Sequence, residues 1–258
     1  MFELKGKYAS AVIYADQIEN EAMSQIVNIC NQPMFEGSSI RIMPDCHSGK
    51  GSVIGFTARL AKDKKMIIPN IVGVDIGCGV LTTIFGMEDE IDYESLDDYI
   101  RKNIPSGFSV RNEPYKGIKC EVEHYIIKIC NHIGQPIERN LASIGTLGGG
   151  NHYIELGKLE DGKYALSIHT GSRNLGKQVC EFYQNNAVRV DTEARDALIE
   201  RHKTAKTAEE HIAIQEALKN MPTVPKELAY VQNGYYDNYI TDMLLCKCVA
   251  AEKSKGHR

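Results

Sequence analysis

Apolar and polar positions recur along this chain at two periods, and the switch between them marks out the predicted elements. Met23, Ile26, Val27 and Cys30 follow one another at three- and four-residue steps or side by side. That spacing lines side chains along one stripe of a helix, so it predicts a helix over Asn20–Asn31. Similar spacing predicts helices over Tyr93–Asn103, Glu121–Ile133, Lys177–Val190 and Tyr235 to about Ala250, the last with Tyr239, Met243 and Cys246 on one face. Short apolar or alternating runs bounded by glycine-rich turns predict strands at Ala11–Ala15, Ser39–Met43, Ser52–Ala58, Val80–Phe85, Tyr153–Leu156 and Tyr164–Ile168.

Two segments stand apart from this rhythm. Thr192–Asn220 is charged and free of helix breakers, with Ala197, Ile199, Ala205, Ala208, Ile212 and Leu218 only weakly periodic. It predicts a solvent-exposed helical hairpin or arm that acts as a spacer, closed by the breakers of 221–225. The Pro-, Gly- and Asn-bearing stretch Pro105–Gly117 reads as an ordinary surface loop, with a lid as the alternative. No internal repeat or linker interrupts the order of strands and glycine turns. The expected fold class is therefore α+β: one domain over residues 1–258, with mixed and antiparallel sheets, surrounding helices and the arm at 192–220.

The 43% hydrophobic content of these 258 residues is enough for a sizeable core. Thirty Lys and Arg against thirty-four Asp and Glu exclude attraction to nucleic acid by bulk charge, so such a partner needs a local basic patch. The apolar runs Met66–Pro69 and Ile71–Val74 fall far short of the roughly 20 residues that span a bilayer. Glu3, Lys5 and Lys7 occupy the place where a secretory signal needs an apolar stretch, so the expected location is cytoplasmic, without a membrane partner. The eight cysteines are scattered without CxxC pairs, as suits free thiols in a reducing compartment, and Cys78 alone has chemically suggestive neighbours.

Four glycine-rich turns each carry metal-ligand side chains: Asp45 and His47, then Asp75 and Cys78, then His152, then His169. Asp75 and Cys78 are three apart in a Gly-flanked loop, close enough to face one ion. His152 begins one strand and His169 ends a later one, so antiparallel neighbours would bring them to one edge of a sheet. Carboxylate, thiolate and imidazole together suit Mn, Fe, Co or Zn better than Mg or Ca. A thiolate can bridge two ions, which makes Cys78 the natural shared ligand of a dinuclear site. Gly171-Ser172-Arg173-Asn174, at a predicted helix start, offers N–H groups, a hydroxyl and a guanidinium to a phosphate, and Gly148-Gly149-Gly150-Asn151 offers a similar cradle. A metal-assisted reaction on the phosphate of a nucleotide or nucleic acid follows from the combination.

Met43-Pro44-Asp45-Cys46-His47, Val74-Asp75-Ile76-Gly77-Cys78-Gly79, Leu147-Gly148-Gly149-Gly150-Asn151-His152 and His169-Thr170-Gly171-Ser172-Arg173, in this order, resemble the RtcB-type RNA-splicing ligases over roughly Lys5 to Met243. The resemblance implies an RtcB-like domain that joins RNA 2′,3′-cyclic phosphate or 3′-phosphate ends to 5′-hydroxyl ends, in tRNA splicing or RNA repair. GTP and Mn²⁺, as two ions, would be its cofactors, a guanylylated histidine its intermediate and GMP the activating group of the 3′ end. By motif, Asp75, Cys78, His152 and His169 match metal ligands, with Cys78 bridging and also catalytic. Asn151 matches a contact to the guanylate phosphate, Ser172 and Arg173 stand as further nucleotide-binding residues, and Asp45 matches an acidic active-site position. The family continues beyond the last helix into a C-terminal part that carries a further metal-binding histidine and the guanylylated one. Neither has a counterpart here, and His257 reads as a solvated residue of a basic tail. The resemblance therefore implies a C-terminally incomplete ligase. Its alternatives are an inactive fragment that binds RNA ends and a metal-dependent phosphoesterase; the RNA substrate and any activating protein stay open.

Overall fold

The computed structural model describes residues 1–61, 65–86, 90–221 and 223–255, and the side chains among these except at 192, 193 and 252–255. His257, and position 222 of the breaker segment, lie outside the described residues. The elements in chain order are β1 (Phe2–Lys5), β2 (Ser10–Ile13), α1 (Asn20–Cys30), β3 (Ser39–Ile42), β4 (Phe56–Arg59), β5 (Met66–Ile67), α2 (Pro69–Val72), β6 (Gly79–Phe85), α3 (Tyr93–Asn103), α4 (Cys120–Ile133), α5 (Ile137–Ala142), β7 (Tyr153–Lys158), β8 (Tyr164–Thr170), α6 (Asn174–Asn185), α7 (Thr192–Thr204), α8 (Ala208–Lys219), β9 (Val231–Gln232) and α9 (Asn233–Lys255). The mixture of a partly parallel sheet, antiparallel sheets and helices is α+β. Two compact units divide the chain, one of Met1–Val72 with Tyr183–Asp237, the other of Gly73–Phe182 with the segment from Asn238.

The first unit is organised by a four-stranded sheet of order β1-β2-β3-β4 and a second pair, β5-β9. Strands β2 and β3 run parallel, with α1 as the connection between them, and the outer pairings are antiparallel. Period-two alternation turns Ala11, Ile13, Ile40 and Ile42 to one face, where all four are fully buried. Helix α1 supplies Ala22, Ile26, Ile29 and Cys30 to the same core. Sequestering each isoleucine contributes ~2 kcal/mol, which outweighs the modest propensities of these short elements. The buried stripe of α1 thus differs from the expected one: Met23 and Val27 sit beside it, half-buried, while Ala22 and Ile29 complete it. Both stripes share Ile26 and Cys30, and periodicity by itself fits either.

Three other expectations shift. The strand expected at Ser52–Ala58 begins only at Phe56, because the Ile54 N–H donates to the His47 carbonyl at 3.0 Å and holds 52–55 in a turn. The helix expected at Lys177–Val190 runs over Asn174–Asn185; Val188 instead exchanges backbone hydrogen bonds with Tyr230, at 2.9 and 3.0 Å. The arm is the expected hairpin, α7 and α8, and among its described side chains Ile214 is the buried one while Ile212 is exposed. A Thr207–Glu210 capping box starts α8.

In the second unit β8 lies between β6 and β7, antiparallel to both. Helix α4 buries Val122, Ile126, Ile129, Cys130 and Ile133 at the spacing the sequence displays. Helix α3 buries none of its residues; its N-terminus is held by Asp92, which accepts from the Glu94 and Ser95 N–H groups at 3.1 and 3.2 Å. Among the described residues no helix is long and apolar enough to cross a membrane.

Candidate metal and anion site

Strand order creates the site. Because β8 is central and antiparallel to its neighbours, its C-terminal end lies beside the starts of β6 and β7, and His169 pairs in register with both Val80 and Tyr153. Cys78 immediately precedes β6 and His152 immediately precedes β7, so both reach the same sheet edge as His169. The His152 and His169 rings stand edge to face, with centroids 5.5 Å apart. Asp75 arrives from the turn before β6, where its carbonyl accepts from the Cys78 N–H at 3.2 Å.

Asp75 and His152 touch directly, Oδ2 to Nε2, at 3.0 Å. His152 Nδ1 lies 3.0 Å from the Leu147 carbonyl, which can only accept, so the proton belongs on Nδ1. The Nε2 lone pair then faces a carboxylate oxygen. Two acceptors at that distance need a shared proton or a cation, and this is the observation on which the donor set fits a metal. Burial, the charge of Asp75 and a hydrogen bond to it all push the Cys78 thiol above its usual range; a cation there acts in the opposite sense. In the present geometry the donors bond to one another: among the described residues no three His, Cys, Asp or Glu side chains surround a common point.

Close packing leaves no slack around these donors. A Cβ on Gly171 would lie 2.6 Å from Asp75 Oδ1 and 3.0 Å from Cys78 Cα. Gly148, at φ +97°, runs against Arg173 and His152, where a side chain has no room. Arg173 itself adopts φ +62°, a left-handed conformation that costs about 1 kcal/mol or more in a non-glycine residue. Its Nε donates to Thr146 Oγ1 at 3.0 Å, and Nη1 reaches to 3.4 Å from His152 Nδ1. Burial lowers its guanidinium below the usual arginine value, against the charge of Asp75, without removing its own charge.

A cavity of about 720 Å³ opens beside this cluster, and its lining includes Asp75, His152, Asn151, Arg173, Arg139 and Lys177. Three cationic side chains line it against the one carboxylate of Asp75, with Lys177 also 3.7 Å from Glu181 outside the lining, and this excess of positive charge suits a phosphate or a longer polyanion. Asp75, Asn151, His152 and Arg173 are thus brought together as the sequence motifs suggest, with Cys78 and His169 next to them. Ser172 differs from the expectation of a ligand hydroxyl: it is buried, and its Oγ donates to the Ile76 carbonyl, fixing the turn before β6. Asp45 lies in the first unit, exposed, its carbonyl accepting from His47 Nδ1 at 2.8 Å, and its place in the chemistry rests on its motif.

Sequence reasoning does not single out Arg139, Lys177 or Phe108, which also line the cavity. The one available signal is the loop Pro105–Gly117. It is tied down here: Ser106 bridges to Gly148, the Gly107 N–H donates to the Gly148 carbonyl at 2.8 Å, and Arg111 Nη2 donates to the Gly145 carbonyl at 2.8 Å.

Comparison with known proteins gives a consistent result. The family described as tRNA-splicing ligase RtcB matches residues 25–133 and 130–252. The RNA-splicing ligase RtcB of Escherichia coli strain K12 is 29% identical, covering 86% of this chain and 52% of that protein. The tRNA-splicing ligase RtcB of Methanococcus maripaludis is 28% identical, over 65% of this chain and 44% of its own length. An RNA-splicing ligase RtcB homolog of Entamoeba histolytica is 32% identical, over 57% and 37% respectively. The chain spans about half or less of the length of these relatives. With both matched segments together reaching across most of its residues, the chain belongs to the RtcB family of tRNA-splicing ligases.

Proposed function

We propose that this chain acts in joining RNA ends, linking a 2′,3′-cyclic phosphate or 3′-phosphate end to a 5′-hydroxyl end through a GMP-activated 3′ end, in tRNA splicing or RNA repair. Family membership supports the reaction class. The observation that carries the reading at residue level is the Asp75–His152 contact on the border of a cavity with three cations. Asp75, Cys78, His152 and His169 are the residues that would hold manganese. Bound there, the metal supplies neutralisation of phosphoryl charge.

The protein's own groups do the rest of the positioning. The Leu147 carbonyl fixes the His152 tautomer so that Nε2 keeps its lone pair toward Asp75. Thr146 holds Arg173 by Nε, and although Nη1 and Nη2 reach His152 and the Gly107 carbonyl at 3.4 Å, each keeps a second N–H for a phosphate, while the Asn151 amide, exposed at the cavity wall, offers an N–H to a non-bridging oxygen of GTP or of the RNA end. A phosphate so held has its charge met before any bond changes, which is the condition for a fast phosphoryl transfer.

The test combines the 258-residue protein, Mn²⁺, GTP and two oligoribonucleotides, one labelled and ending in a 3′-phosphate, the other starting with a 5′-hydroxyl. The expected outcome is a joined strand that requires both GTP and Mn²⁺. Release of phosphate without GTP would replace this reading by phosphoesterase action, and tight binding of ends without joining would replace it by an end-binding role.

A further inference from the structure

One side chain of the cavity is unlike the others. Phe108 is 93% exposed, so nearly its whole ring is in water, although an isolated Phe gains ~2 kcal/mol when covered. Single exposed apolar residues on mobile loops are ordinary. Phe108 is held differently. Its carbonyl accepts from Arg139 Nη2 at 3.1 Å, the neighbouring Gly107 bonds to Gly148 and its carbonyl accepts from Arg173 Nη2 at 3.4 Å, and the Ser109 N–H closes a turn onto the Ser106 carbonyl at 3.1 Å. The backbone under the ring is thus fixed to the cavity wall, and the ring stands at a rim that also presents Arg139, Arg173 and Lys177. A fixed aromatic face beside clustered cations is what single-stranded nucleic acid requires: the π-face takes a base, and the cations take the phosphate attached to it.

We propose that Phe108 is a nucleobase platform that stacks the base of a nucleotide at the RNA end while that nucleotide's phosphate lies in the cavity. The inference rests on the RNA-joining reading and deepens it, because it assigns Phe108 as a residue that positions substrate. Every base has a π-face to stack, so the platform accepts RNA ends of any sequence, with purines held more tightly than pyrimidines because their π-face is larger. The loop backbone is already hydrogen-bonded to the cavity wall without a ligand, so little of the stacking energy is spent on arranging it.

The experiment uses the full chain and an eight-nucleotide RNA ending in a 3′-phosphate, with the fluorescent base 2-aminopurine at its last position. Binding should quench the fluorescence, and Phe108→Ala should weaken binding roughly ten- to a hundredfold and remove the quench, with Phe108→Trp restoring both. An RNA lacking the terminal base should lose the same factor with the unmodified protein and nothing further with Phe108→Ala. GTP binding, measured separately, should be unchanged by Phe108→Ala; a loss seen with GTP and not with RNA would overturn the inference by assigning the ring to guanine. RNA binding equal in Phe108→Ala and the unmodified chain, quench included, overturns it while leaving the RNA-joining reading in place. Absence of RNA binding by the unmodified chain overturns both.

Discussion

His152 and Asp75, 77 positions apart, meet at 3.0 Å with the His152 side chain 5% exposed and that of Asp75 31% exposed. The histidine is clamped from behind by Leu147, so the pair has a fixed rear and a front that opens on the cavity. An acceptor pair of this kind is poised for a cation, because a metal satisfies both lone pairs without moving the ring. Asp75→Asn, which replaces the charge by an amide able to donate to Nε2, should leave the fold intact and weaken Mn²⁺ binding by at least about tenfold. Competition for Mn²⁺ followed by paramagnetic resonance of the free ion checks this; unchanged affinity would remove Asp75 from the metal set.

Gly171→Ala tests how tightly the donors are packed. The new methyl group meets a carboxylate oxygen at 2.6 Å and backbone at 3.0 Å, so either Asp75 or the turn before β6 must move. Overpacking of this kind costs about 1–3 kcal/mol. The variant should unfold at lower denaturant concentration and bind Mn²⁺ more weakly, read by a denaturation curve and the same competition assay.

Asp92 gives a pH dependence at low pH. The Ser95 hydroxyl and the Ser95 and Glu94 N–H groups hold its carboxyl below the usual carboxylate range. A lowered value in the folded chain means that its contribution is present above the unfolded value and lost as pH falls through the lowered one. Amide exchange at Glu94 and Ser95 should therefore be faster in Asp92→Ala than in the unmodified chain at neutral pH, with the difference vanishing in acid. A difference that persists at the lowest pH would show that the cap does not depend on charge.

Cys30 and Cys130 give the opposite limb. Each is fully buried, and burial raises each thiol to about 11. A raised value makes the contribution complete below the ordinary thiol value and lost as pH rises through about 11. Stability measured by denaturant should fall between roughly pH 9 and 11, and Cys30→Ala or Cys130→Ala should flatten that fall while lowering the plateau. At neutral pH a thiol reagent should label the exposed Cys120 and Cys248, and more slowly the exposed Cys78, whose thiol is raised, and leave Cys30, Cys130, Cys180 and Cys246 silent until the chain unfolds.

Local pattern determined much of this protein. The spacing of Val122, Ile126, Ile129 and Ile133 fixes α4 and its buried face, because a 3.6-residue period has one amphipathic solution there. Alternation and glycine turns fix β6, β7 and β8, and antiparallel pairing of the last two follows from their short connection, which brings His152 and His169 to one edge. Tertiary structure decided what depends on partners far along the chain. Either of two stripes on α1 could be buried, and the sheet selected the one with Ala22 and Ile29. Ser172 has the chemistry of an anion ligand, yet its hydroxyl is taken by Ile76, 96 positions away. Phe108, Arg139 and Lys177 come from a loop and two helices with no shared motif, and only the packing of that loop on the glycine-rich segment 145–150 sets them around one cavity. Periodicity records what a residue does with its near neighbours; strand order and close packing fix what it does with distant ones, and the cavity exists only at that second level.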